Sequence, residues 1–95
     1  AKALSSSSGW NNSQTIGSPG YNQSENNSSL FNAFPYGGRN SDGVFGDDGI
    51  EAVFWSSTEV DNQSAINFYI NFEYESLYSY DNVKDVGLSV RLVQD

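Results

Sequence analysis

The sequence predicts a mainly β fold: one small antiparallel sheet, of roughly three to five strands, set among long irregular loops. Three observations carry this. Residues 65–73 alternate Ile66, Phe68, Ile70 and Phe72 with Asn67, Tyr69, Asn71 and Glu73, which is the pattern of a half-buried antiparallel strand. Residues 86–93 alternate again, with Leu88, Val90 and Leu92 on one face and Ser89 and Arg91 on the other. No stretch repeats its apolar residues at a helical period.

The elements follow in chain order. Residues 1–29 are poor in apolar side chains and rich in Ser, Asn and Gly, with Pro19-Gly20 as a turn signal. They read as loop with at most one short strand, anchored by Leu4, Trp10, Ile16 and Tyr21. Leu30, Phe31, Ala33 and Phe34 suggest a short buried segment, and Gly37-Gly38 permits a turn that side chains would forbid. Residues 51–57 read as a strand entering the core. Phe54 and Trp55 are adjacent and cannot both face inward on a regular strand, so either a second layer or a bulge is required. Residues 74–80, with Tyr74, Tyr78 and Tyr80 around Leu77, suggest a further strand, and Asp81-Asn82 suits a turn. The 95 residues hold one small domain or the C-terminal portion of one, loop-rich over 1–29 and core-forming over 30–95.

Composition removes several function classes. Aromatics at 15% argue for a folded chain rather than a disordered tail. The formal net charge is −8, and the cations are scattered at Lys2, Arg39, Lys84 and Arg91. Phosphate backbones and anionic membranes need clustered Lys and Arg, so nucleic acid and membrane surfaces are unexpected partners. No apolar run approaches the ~20 residues of a membrane span. With no signal peptide evident, the chain is expected to be cytoplasmic, mature or a fragment. Cysteine and histidine are both absent, which leaves no disulfide, no Ser-His-Asp arrangement, no thiolate nucleophile and no zinc site of the usual kind. Carboxylate chemistry remains, with Glu73 and Glu75 as a pair two residues apart. Such a pair is more readily two solvated charges than a glycosidase couple, so no enzyme is expected. The Asn-x-Ser patterns at Asn11, Asn22, Asn27 and Asn62 read as chance in so Asn- and Ser-rich a chain.

Candidate binding residues fall in two groups. Asp42, Asp47, Asp48 and Glu51 gather oxygen ligands in Gly-rich loops. Calcium is the one cofactor they would suit, although their spacing departs from an EF-hand and turn-capping explains them more simply. The polar face of residues 59–85 offers Asn67, Tyr69, Asn71, Tyr74, Tyr78, Tyr80 and Asn82. Tyr supplies contact area at low rotamer entropy and Asn adapts its hydrogen bonds, a paratope-like composition. Trp55 and Arg91 are assigned structural roles: Trp55 buried, and Arg91 locking strand to loop through a bidentate pair with Asp or Glu. Trp10 is open between core and sugar platform.

Phe31-Asn32-Ala33-Phe34-Pro35-Tyr36-Gly37-Gly38-Arg39, Asp42-Gly43-Val44-Phe45, Phe54-Trp55-Ser56-Ser57-Thr58-Glu59 and Gly87-Leu88-Ser89-Val90-Arg91-Leu92-Val93-Gln94-Asp95 occur in that order. Together they resemble the Fibrobacter succinogenes major paralogous domain family. The chain departs from that family's usual Ser-Val-Arg-Cys at Leu92, and lacks its N-terminal Gly-Trp…Pro…Trp half. The resemblance implies a C-type-lectin-like fold, akin to formylglycine-generating-enzyme-like domains and α+β when complete. It also implies an extracellular or bacterial cell-surface location, and a missing half that another chain would supply if this one is not a processed fragment. The expected function is a non-catalytic binding module for a glycan or protein ligand. The alternative is a structural or assembly subunit of a larger surface complex or fibre.

Overall fold

The computed structural model describes residues 1–91. They are mainly β, as the sequence predicts, with two short antiparallel sheets and only single 3-10 turns at Lys2–Leu4 and Gln23–Glu25. Strand β1 (Gly38–Arg39) pairs with β2 (Phe45–Gly46) in a small hairpin. Strands β3 (Glu51–Glu59), β4 (Ser64–Asn71) and β5 (Tyr78–Val83) form the main sheet in the order β3-β4-β5.

The register of this sheet sorts its side chains. Ala52 lies opposite Ile70, Phe54 opposite Phe68, and Phe68 in turn opposite Ser79. This face carries the core: Ala52 and Ile70 are buried against Trp10 and Ala33, with Leu4, Phe31, Phe54 and Phe72 packed around them. The other face carries Glu51 opposite Asn71, Val53 opposite Tyr69, which in turn lies opposite Tyr78, and Trp55 opposite Asn67, which in turn lies opposite Tyr80. Phe54 and Trp55 therefore point to opposite faces in regular register, so no bulge is needed between them; a register shift comes after them, between Trp55 and Glu59. Phe54 packs edge-on to Phe31 with ring centroids 5.7 Å apart.

Residues 1–29 are loop as expected, but their anchors differ. Ile16 is 72% exposed. Buried polar groups take its place, and in this region hydrogen bonds to the main chain offset their burial. Asn26 is buried, and its amide donates to Ser6 O (2.8 Å) and Pro19 O (2.9 Å) while its Oδ1 accepts from Lys2 Nζ (2.8 Å). Trp10 is buried, and its indole donates to Ser6. It is a core residue, not a sugar platform. Main-chain bonds then tie this region to the sheet: Asn11 N to Gly49 O, Gly20 N to Phe72 O, and Ser6 N to Ala33 O, each 2.8 Å.

Two boundaries move. Asp81 and Asn82 lie inside β5, and the β4–β5 connection runs instead through residues 72–77. The expected last strand shrinks to bridges: Gly87 with Arg39, and Ser89 beside Phe54 on the outer edge of β3. Leu92, the family's departure point, and Val93 lie outside the described residues. Gly37 makes the turn predicted for it. Its φ is +68°, and a Cβ there would stand 1.9 Å from Gly46 O. Its N–H donates to Glu51 O (2.8 Å), fastening the β1–β2 hairpin against β3.

Candidate binding face

The tyrosines come together. Tyr80 meets Tyr69 edge-on at 5.1 Å, Tyr69 stacks on Tyr78 at 5.5 Å, and Tyr78 meets Tyr74 edge-on at 5.7 Å. Cross-strand pairing of Tyr69 with Tyr78 creates the middle contact, and the two-residue strand period puts Tyr80 on the same face. Tyr74, Tyr78 and Tyr80 remain 42–44% exposed. The result is a continuous ladder of four rings with wet edges.

Two asparagines expected on this face are placed otherwise. Asn67 is fully buried and Asn71 is 8% exposed. Asn67 sits between Trp55 and Tyr80 on the neighbouring strands, with Tyr69 two residues on. Its short amide lies below the level of these rings and does not reach the surface. Neither its Nδ2 nor its Oδ1 has a hydrogen-bond partner. Asn71 instead serves the strand end, accepting from Glu73 N (3.1 Å). Asn82 is half-buried on β5.

At the Tyr80 end the ladder opens into a concavity of about 150 Å³ between the main sheet and the β1–β2 hairpin. Arg39, Asn40, Asp47, Glu51, Tyr80 and Asn82 supply its polar groups, and Val53, Val86 and Leu88 its apolar wall. Asp47 holds a left-handed backbone (φ +66°), and its carbonyl accepts from Ile50 N and Glu51 N (3.0 and 3.1 Å). That turn delivers Glu51 onto the first position of β3. Burial pushes the Glu51 carboxyl above the ordinary carboxylate range, and the neighbouring Asp47 charge adds to this, while the Asn71 amide opposes it. Tyr80 is raised in the same way, by burial first and then by Glu51, Tyr69 and Asp47. Arg39 lines the concavity too, but its guanidinium lies by the Gly43 turn and its stem packs on Gly87.

The calcium loop does not assemble. Among the described residues no three carboxylates come close enough to share a metal ion. Asp42 is used locally, accepting from Val44 N (3.0 Å), while Asp47 and Asp48 are exposed on the loop and Glu51 belongs to the sheet. Glu73 and Glu75 share no strand face either: both lie in the β4–β5 connection, with the Glu75 side chain close to Gly17.

The structural pair also differs in detail. Trp55 is half-buried rather than buried. Arg91 is exposed and among the described residues grips no carboxylate: both terminal nitrogens donate to Phe31 O (2.7 and 2.6 Å), and the guanidinium lies 4.4 Å from the Phe31 ring centroid. The geometry is bidentate and joins distant segments, as expected, but the acceptor is a main-chain carbonyl. Sequence patterns name side chains only, so this acceptor left no signal. Val86, Leu88 and the role of Tyr80 as a shared wall were likewise missed, because they depend on how the β1–β2 hairpin folds over the sheet. No protein-family model matches the chain, and no curated protein or solved structure is significantly similar to it.

Proposed function

We propose that the protein is a non-catalytic binding module that recognises a glycan or protein ligand through its tyrosine ladder. One observation carries this: Tyr69, Tyr74, Tyr78 and Tyr80 form a contiguous, half-wet aromatic strip leading into a polar concavity. Rings held by one another lose little entropy on binding, and their hydroxyls and faces serve both hydrogen bonds and stacking. The resemblance to the Fibrobacter succinogenes major paralogous domain family, with its lectin-like fold and surface location, agrees with this reading.

The test is a glycan array, paired with capture of surface proteins, probed with the wild-type chain and with Tyr74→Ser/Tyr78→Ser. Both residues are exposed, so the variant should keep its circular dichroism spectrum while losing about tenfold or more in affinity for any ligand found. A ligand bound equally by both proteins would remove the ladder from the account. A second reading, assembly into a larger structure, has its own observation. Among the described residues the outer edge of β5 is unpaired, and Phe68 and Leu77 are 40% and 43% exposed, an arrangement open to pairing with another strand. Concentration-dependent elution in size-exclusion chromatography would support that reading, and a monomer at all concentrations would exclude it.

A further inference from the structure

We propose that the groove between the Phe34–Tyr36 turn and Arg91 binds an acidic sugar, a uronic acid unit whose carboxylate meets Arg91 and whose ring stacks on Tyr36. This is a second site, at the outer edge of β3 and apart from the tyrosine ladder. The groove holds about 340 Å³, a volume within the range of small-molecule sites. Its walls include Asn32, Phe34, Tyr36, Phe54, Ser89 and Arg91. The chain carries twelve Asp and Glu against four Lys and Arg, yet among the described residues no carboxylate lines this groove and an arginine does. Arg91 is also held in place. Phe31 O accepts from each of its terminal nitrogens, at 2.7 and 2.6 Å, and the Phe31 ring supports the guanidinium at 4.4 Å. The remaining N–H groups of the fork keep their capacity to donate, and among the described residues no carboxylate takes them. A guanidinium already fixed loses little freedom when it grips a carboxylate through two parallel bonds.

The remaining walls choose between bearers of a carboxylate. Tyr36 N donates to Phe34 O (2.9 Å), a tight bend about the buried Pro35 that brings the two rings together. They stack with centroids 5.6 Å apart and planes 20° from parallel. Phe34 thus braces one face of Tyr36, while Tyr36 as a whole is 69% exposed. A braced, wet ring is a platform for the C–H face of a pyranose, and the Asn32 amide and the Ser89 hydroxyl are of the kind that bonds sugar hydroxyls. An extended acidic peptide fits less well, because it would add to a free strand edge. The edge of β3 beside this groove is already taken: Trp55 N donates to Ser89 O and Ser89 N to Val53 O, each 3.1 Å. The net charge of −8 opposes a dense polyanion, so the favoured ligand is a short saccharide whose carboxylate is engaged at close range.

The experiment is a nuclear magnetic resonance titration of the isotopically labelled chain with digalacturonate. Its neutral methyl ester, acetate, and a Gly-Glu-Gly peptide with blocked ends are run alongside. Digalacturonate should shift the amides of Asn32, Tyr36 and Ser89 and the Arg91 side-chain N–H, and the ester should bind about tenfold or more weakly. Affinity should fall about tenfold or more in Arg91→Gln. That variant also releases Phe31 O, so Tyr36→Ser is the second arm: its side chain is exposed, the spectrum should otherwise be kept, and the affinity should again fall about tenfold or more. Lys84→Gln removes the same charge from the far side of the sheet, where Lys84 pairs with Glu59, and should leave the affinity nearly unchanged. No shift of the groove amides overturns the proposal, as does equal binding of the ester or an equal loss in Lys84→Gln. Equal shifts with acetate would make the groove a general anion site, and stronger shifts with the peptide would make its occupant a protein; either overturns the sugar assignment.

Discussion

Two asparagines buried in the same small protein sit in opposite energetic positions. Asn26 uses its amide fully, joining Ser6, Pro19 and Lys2 across the N-terminal loops. Truncating it leaves Pro19 O unpaired, while Ser6 O keeps the Trp10 indole and Lys2 keeps the Ser18, Tyr21 and Asn22 carbonyls, and an unpaired buried group costs about 1–3 kcal/mol. Asn26→Ala should therefore lower stability by about 1–3 kcal/mol in urea unfolding. Asn67 is the reverse case, with zero exposure and neither amide atom bonded. An apolar side chain of similar volume relieves that penalty. Asn67→Leu should raise stability in urea unfolding by about 1 kcal/mol or more. A fall in stability for Asn67→Leu would mean that its amide is satisfied in solution. The sequence shows both residues only as members of an Asn-rich background, and nothing in one-dimensional pattern separates them.

At the scale of elements, legibility depends on how local the determining contacts are. Strand β4 is readable because its period-2 alternation is a property of consecutive residues, and so is the placing of the adjacent Phe54 and Trp55 on opposite faces. What alternation does not tell is which face meets solvent. It places the polar set Asn67, Tyr69, Asn71 outward, yet the rings of Trp55, Tyr69 and Tyr80 surround and cover Asn67. The same rings make the tyrosine ladder partly legible, since Tyr69, Tyr78 and Tyr80 stand out by composition, while the concavity beside them requires the hairpin of β1 and β2. That hairpin hangs on Gly37. Its left-handed backbone and the 1.9 Å approach of Gly46 O leave no room for a methyl group. Gly37→Ala should cost about 2 kcal/mol or more, from backbone strain and from loss of the bond to Glu51. The loss should concentrate in the hairpin, so hydrogen exchange at Arg39 and Glu51 should accelerate more than at Ile70.

The whole molecule is a thin body, 40 × 33 × 17 Å, whose buried hydrophobic residues among those described are Trp10, Ala33, Ala52, Val53 and Ile70. So little apolar burial leaves a small margin, and long-range charge becomes a visible part of it. Twelve carboxylates face four Lys and Arg side chains. Among the described residues only Lys84 and Glu59 form a side-chain ion pair, and it is exposed. Such a pair contributes about 0–1 kcal/mol. Salt weakens that pair, but it also screens the repulsion among the excess carboxylates, which act over distances comparable to the ~10 Å Debye length at 0.1 M. With twelve carboxylates against four cations, repulsion outweighs attraction. The melting temperature should therefore rise as sodium chloride is increased from about 20 to 200 mM, a range in which screening dominates over salting-out. A melting temperature that falls would assign more of the stability to ion pairing than the fold displays. The same titration in Lys84→Gln isolates the pair: the variant should gain more from salt than the wild type, having no attraction left to lose.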